Sequence, residues 1–182
     1  IQEDIALTSG QVSVVTAIPV ILGSLLRIPI GFYADRFGAR IIFLISLLIL
    51  LIPVFLISVA DSFADLVIGG LLLGVGGAVF SIGVTSLPKY YPKEKHGFIN
   101  GVYGVGNIGT AITAFGAPIL AESIGWQSTV RLYLFLLIAI ALLVFLFGDR
   151  KEKKAKKSMV DEIKGVYRND ILWCLSLFYF IT

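Results

Sequence analysis

The run Ile41-Ile42-Phe43-Leu44-Ile45-Ser46-Leu47-Leu48-Ile49-Leu50-Leu51-Ile52-Pro53-Val54-Phe55-Leu56-Ile57-Ser58-Val59-Ala60 decides the fold class, because it holds no charged residue from end to end. As an α-helix rising 1.5 Å per residue it measures about 30 Å, the thickness of the hydrocarbon core of a bilayer. Hydrocarbon offers no partner to an open backbone, so a segment of this kind crosses as a helix.

The same reading extends to both sides. Roughly Gly10–Ala34, Leu66–Tyr90, Phe98–Leu120 and Val130–Phe147 are four further spans, and a sixth apolar run starts near Ile171 and stops at Thr182, too short to cross. The expected fold class is therefore an all-α membrane protein. Composition agrees, since the chain is 57% hydrophobic and only 15% charged, against about 25% charged in soluble domains. The formal charge of +3 does not point to nucleic acid, because Lys and Arg sit in short connectors rather than along one soluble face. The lone Cys174 and lone His96 rule out an intrachain disulfide and a Cys/His metal cluster. No cofactor is expected, and no nucleophile–base pair points to an enzyme.

Basic residues alternate between connectors. Arg36 and Arg40 follow the first span, Lys89, Lys93 and Lys95 the third, and Arg150, Lys151, Lys153, Lys154, Lys156, Lys157, Lys164 and Arg168 the fifth. The connectors Ala60–Asp65 and Ala121–Thr129 have none. The positive-inside rule then puts the basic connectors in the cytoplasm. Residues 1–9 would lie outside, so a preceding helix is expected, and both ends of the chain read as cut short. Within the last connector Met159, Val160, Ile163, Val166 and Tyr167 share one helical face. This segment, Lys156–Asn169, reads equally as a helix on the inner membrane surface or as a solvated linker.

Arg27 is the expensive residue. It lies eight residues before Asp35, or about 12 Å from the inner end of its helix, close to mid-depth. Facing lipid there would cost at least about 2.5–3.5 kcal/mol, so the guanidinium should face a cavity or a partner. Gly23 and Gly31, at i−4 and i+4, are expected to leave space around it. No Asp or Glu lies in any span interior. An anionic ligand is the simplest partner, and the planar, permanently charged fork of arginine suits a planar oxyanion. The competing reading is a structural arginine held by backbone carbonyls or by an acid outside this chain.

Asn107 presents two donors and an acceptor on a stripe with Asn100, Tyr103, Gly104, Thr110 and Ala114. It reads either as a ligand contact or as an interhelical hydrogen bond. Small residues recur at Gly70, Gly74, Gly77, Ser81 and Thr85, and again at Gly97, Gly101, Gly104, Gly106 and Gly109. Close backbone approach holds membrane helices together, so packing or flexing is expected of them. Pro19, Pro29, Pro53 and Pro118 predict kinks.

The strongest short motif is Gly31-Phe32-Tyr33-Ala34-Asp35-Arg36-Phe37-Gly38-Ala39-Arg40. Gly38 permits a tight turn, and Asp35 is expected to cap a helix or pair with Arg36 or Arg40, latching the inner mouth. As G-x-x-x-D-R-x-G-x-R it resembles the loop between helices two and three of the major facilitator superfamily. On that resemblance the spans are helices two to six and the start of seven of a twelve-helix transporter. Residues 1–148 are then the N-terminal half without its first helix, 149–170 the linker between halves, and 171–182 the start of the second half.

Leu26-Arg27-Ile28-Pro29, Gly74-Val75-Gly76-Gly77-Ala78-Val79-Phe80, Gly104-Val105-Gly106-Asn107-Ile108-Gly109 and Tyr90-Tyr91-Pro92-Lys93-Glu94-Lys95-His96-Gly97 further resemble the nitrate/nitrite porter family within that superfamily. The resemblance implies that Arg27 grips the anion, that Asn107 contacts it, and that Phe80 and Tyr179 line the site. It implies alternating access by a monomeric multi-pass protein of the bacterial plasma membrane, with nitrate or nitrite and the bilayer as partners. Nitrate/nitrite exchange is the leading expectation. Proton symport, another small anion such as a carboxylate, and a non-transporting sensor or structural membrane subunit are the alternatives.

Overall fold

A computed structural model describes residues 5–149 and 170–181, with no side chain described beyond Phe178. The segment Lys156–Asn169, read as an amphipathic helix or a linker, lies outside the described residues. The helices are α1 (Ser9–Phe37), α2 (Ala39–Ser58), α3 (Phe63–Ser86), α4 (His96–Gly104), α5 (Ile108–Ile124), α6 (Trp126–Phe147) and α7 (Asp170–Ile181). Short 3₁₀ turns at Leu87–Tyr90, Lys93–Lys95 and Val105–Asn107 join α3 to α4 and α4 to α5. Five segments are long and apolar enough to cross a membrane: Ser9–Phe37, Ala39–Ser58, Phe63–Tyr90, Lys93–Ile124 and Trp126–Phe147. They match the spans read from the sequence to within a few residues, except that the fourth is not one continuous helix.

Local sequence sets the ends. Thr8 and Gln11 form a capping box at the start of α1, and Ser62 and Asp65 form another at the start of α3. Gly38 ends α1 and begins α2 at φ 101°, donating its N–H to the Ala34 carbonyl at 2.9 Å. A side chain there would be strained, so the glycine makes the turn between the two spans possible. Gly125 at φ 82° does the same between α5 and α6.

The seam between α1 and α3 is lined by small residues, while larger side chains such as Leu50, Val79 and Ile82 fill the core beside it. Gly23, Gly31 and Ala34 of α1 are buried, as are Gly69, Gly70, Gly74, Ala78, Gly83 and Ser86 of α3. Large side chains such as Phe115, Phe135 and Phe147 are exposed at 78%, 71% and 81%, as expected where lipid is the surrounding solvent. α3 sits between α1 and α2, and α2 in turn packs on α6. The tightest crossing is that of α1 and α3. A Cβ on Gly74 would come 2.8 Å from Leu22 Cβ, and one on Gly23 would come 2.9 Å from the Gly74 carbonyl. A Cβ on Gly77 would sit 3.3 Å from Gly23 Cα. Gly74 and Gly77 therefore lie in close packing contact with α1. Pro19 removes the helical donor for the Val15 carbonyl. That carbonyl turns toward Gly70, 3.5 Å from where a Cβ would stand, so the proline and the glycine act as a pair.

The packing expected of Gly101, Gly104, Gly106 and Gly109 has no partner among the described residues, for a Cβ on any of them meets nothing within 4 Å. Their stripe faces outward from this bundle.

At one end the basic connectors gather, as their alternation along the chain requires. Asp35 pairs with Lys89 at 2.7 Å, and Tyr90 donates to Asp149 at 2.9 Å. Arg40 donates through Nε to the Val144 carbonyl at 3.4 Å and through Nη2 to the Phe145 carbonyl. Its guanidinium also lies over the Phe145 ring. The expected pairing of Asp35 with Arg36 or Arg40 is thus replaced. Arg40 is drawn to the carbonyl end of α6, where unpaired acceptors and the helix dipole favour a cation. Arg36 lies over Phe37, and Lys89, arriving from the end of α3, takes the carboxylate.

Two outcomes follow for unfolding of the full-length protein in detergent. Gly74→Val should lower stability by about 1–3 kcal/mol through overpacking, with Gly74→Ala in between. A double-mutant cycle of Asp35→Asn and Lys89→Gln should give a coupling of only about 0.2–1 kcal/mol, shrinking as salt is added, because both side chains are nearly 30% exposed (28% and 29%).

Candidate functional site

Depth along the helices brings the candidate residues to one level. Arg27 lies ten residues before Phe37, the last residue of α1, about 15 Å from that end. Asn107 lies eleven residues after His96, the first residue of α4, about 16 Å from the same end of the bundle. Phe80 lies ten residues before Tyr90 on the α3 span, again about 15 Å. All three therefore stand near the middle of a hydrocarbon core of about 30 Å.

Gly23 and Gly31 do not open space around Arg27 as expected. They are buried against α3: Gly23 meets Gly74 and Gly77, and Gly31 faces Ser81 and Thr85. Between them the Ser81 hydroxyl lies 3.3 Å from the Arg27 carbonyl while it donates to Ala78 at 2.7 Å. The two glycines thus press the backbone of α1 onto α3, and the Arg27 side chain leaves at the edge of that seam. It is exposed. Among the described residues its guanidinium makes no ion pair and no hydrogen bond, so neither the carbonyl-held nor the acid-paired arrangement occurs within them.

Asn107 is also exposed, and its carbonyl accepts from the Thr110 hydroxyl at 2.6 Å. It closes the Val105–Asn107 3₁₀ turn that separates α4 from α5. A run of Gly104, Gly106 and Gly109 pays a backbone-entropy cost in any helix, and a mid-helix tightening of this kind is common where a membrane helix must bend. The sequence predicts one straight stripe from Asn100 to Ala114; the turn breaks it at the candidate ligand.

Phe80 is half-buried and stacks on Tyr103 of α4, with ring centroids 4.9 Å apart and planes at 27°. The Tyr103 ring rests over Gly83, where any Cβ would collide with it. Three contacts escaped sequence reasoning: Lys89 on Asp35, Ser81 on Arg27, and Tyr103 on Phe80. The last had a signal, since an aromatic on the polar face of one helix faces a glycine three residues after an aromatic on another. Tyr179 belongs to α7, and its side chain lies outside the described residues.

Apolar space lies elsewhere. A cavity of about 530 Å³ among Pro19, Val20, Leu50, Val54, Leu73 and Leu137 is lined by none of Arg27, Asn107 and Phe80. Arg27, Asn107 and Phe80 share a depth outside that cavity, Arg27 and Asn107 exposed and Phe80 half-buried. Among the described residues no group of three or more His, Cys, Asp or Glu side chains could hold a metal. The arrangement can neutralise a small anion and offer it hydrogen-bond donors and a flat wall.

Known proteins agree with this architecture. The chain is 66% identical over 179 residues to the nitrite extrusion protein of Bacillus subtilis, covering 98% of this chain and 45% of that protein. It is 53% identical over 179 residues to a protein of Staphylococcus carnosus named "Probable nitrate transporter NarT", covering 98% and 46%. It is 50% identical over 182 residues to a protein of the same name from Staphylococcus epidermidis, covering 100% and 47%. The chain thus spans a little under half the length of these relatives. The family model that it matches covers residues 1–182. With five membrane-length helices and the Gly38 turn between the first two, this chain belongs to the Major Facilitator Superfamily.

Proposed function

We propose that the chain is the N-terminal half of a nitrate/nitrite transporter of the bacterial plasma membrane that works by alternating access. The observation that carries the reading is Arg27, exposed at mid-depth, whose guanidinium makes no ion pair or hydrogen bond among the described residues. A charge in that position needs an anionic partner, and a guanidinium fork matches the planar oxygens of nitrate or nitrite. Asn107 supplies amide donors and Phe80 a flat apolar wall, with Tyr179 completing the site from α7. The relatives named for nitrite extrusion and nitrate transport support the same substrate class.

Alternating access requires the site to open to each side in turn. The segment from Gly31 to Arg40, with Asp35 on Lys89 and Arg40 on the end of α6, ties α1 to α3 and α2 to α6 at the end read as cytoplasmic. It forms the latch of the inner mouth. The interiors of the five spans carry no carboxylate to relay protons, which favours exchange of one anion for another over proton symport. The protein is a carrier rather than an enzyme.

Counterflow of nitrate and nitrite in proteoliposomes carrying the full-length transporter tests the reading. Arg27→Lys should abolish exchange while the protein still folds, because an ammonium replaces the fork with a point charge. Retained transport in Arg27→Lys would overturn the clamp. Wild-type counterflow driven by small carboxylates and not by nitrate or nitrite would overturn the substrate.

A further inference from the structure

Tyr103 touches the site without being one of its expected ligands. It lies four residues before Asn107, one turn or about 6 Å toward the basic end. Its ring stacks nearly parallel on Phe80 at 4.9 Å. Its berth is Gly83, which is buried and sits at i+3 from Phe80 on the same face of α3. The fit admits no side chain at position 83, because a Cβ there would run into the Tyr103 ring. A Cβ added at Gly101 or Gly104, on either side of Tyr103 along this span, would meet nothing within 4 Å. The middle of the fourth span therefore meets α3 through this ring. Just beyond it the helix tightens into the Val105–Asn107 turn.

Resting on the anion-site reading above, we propose that Tyr103 is a positioning residue that sets anion selectivity: its ring, seated in the Gly83 notch, fixes the plane of Phe80 and the lateral position of Asn107. The role belongs to the ring. The Tyr103 hydroxyl makes no hydrogen bond among the described residues, and its loss should change little. A fixed aromatic plane beside a cation sets the width available to a flat anion. Nitrate, with three oxygens in a plane, and nitrite, with two in a bent frame, fill that width differently. Freeing Phe80 would let both fit loosely, so discrimination should fall along with affinity.

The test measures KM and maximal rate for nitrate and for nitrite with the full-length transporter in proteoliposomes, for wild type, Tyr103→Phe, Tyr103→Leu, Gly83→Ala, and Gly83→Ala combined with Tyr103→Leu. Tyr103→Phe should match wild type. Tyr103→Leu and Gly83→Ala should each raise KM roughly threefold to tenfold, the worth of one aromatic pair, and bring the nitrate-to-nitrite ratio toward one. The double variant should be no worse than Tyr103→Leu alone, since without the ring the added methyl has nothing to strike. An unchanged KM and ratio in Tyr103→Leu would overturn the proposal, as would additive losses in the double variant or failure of Tyr103→Phe. Lower abundance with an unchanged ratio would mark Tyr103 as structural only and overturn it equally. A wild type that moves neither anion would instead sink the anion reading itself, so the two failures are distinct.

Discussion

The bundle depends on one backbone-to-backbone contact, the crossing of α1 and α3 at Gly23, Gly74 and Gly77. Lipid is as apolar as any leucine, so helices gain nothing by hiding leucine from it. What they gain is dispersion, and that falls off steeply with distance. Removing side chains at the crossing brings two backbones within van der Waals reach along their length. Gly31, Ser81 and Thr85 continue the seam toward the basic end, and Pro19 with Gly70 continues it toward the other. Because α1 is pressed flat on α3 by glycines at i−4 and i+4, the residue between them is held at the rim of the seam. The location of Arg27 is thus a by-product of packing, and the same contact that stabilises the fold aims its cation.

Polar groups at the basic end solve a different problem. Helix ends there leave carbonyls without donors, and the chain answers with cations drawn from neighbouring elements. Arg40 from the start of α2 closes the end of α6, while Asp35 at the end of α1 takes Lys89 from the end of α3. Individually such surface contacts are weak. Their use is geometric, since each joins the ends of two neighbouring helices.

Much of this was legible in the sequence because the forces that decide it are one-dimensional. Hydrophobic length fixed the five spans, charge asymmetry fixed which connectors meet, and Gly38 marked the turn between α1 and α2. Glycine positions foretold a close crossing. Partner choice was harder to read. Asp35 has two arginines close in sequence and takes a lysine more than fifty positions away, because side-chain reach is set by which helix ends converge. The glycines around Arg27 were correctly read as sharing its face, but their function inverted: they close the gap to α3. Aromatic pairing between α3 and α4 depends on a missing Cβ at Gly83, and a list of residues does not show what an absent atom makes room for. The outward glycine stripe of the fourth span finds no neighbour within the described residues.

The 3₁₀ turn at Val105–Asn107 changes the angular bookkeeping of that span. An α-helix advances about 100° per residue and a 3₁₀ turn about 120°. Three residues of the tighter form rotate everything beyond them by about 60° relative to a straight helix, and lengthen the span by about 1.5 Å. Asn100 and Tyr103 therefore point along one azimuth while Thr110 and Ala114 point along another, with Asn107 at the step. Were those three residues to relax into α geometry, α5 would screw back by that angle as a rigid shaft, without any change in α4 or in the Tyr103 berth.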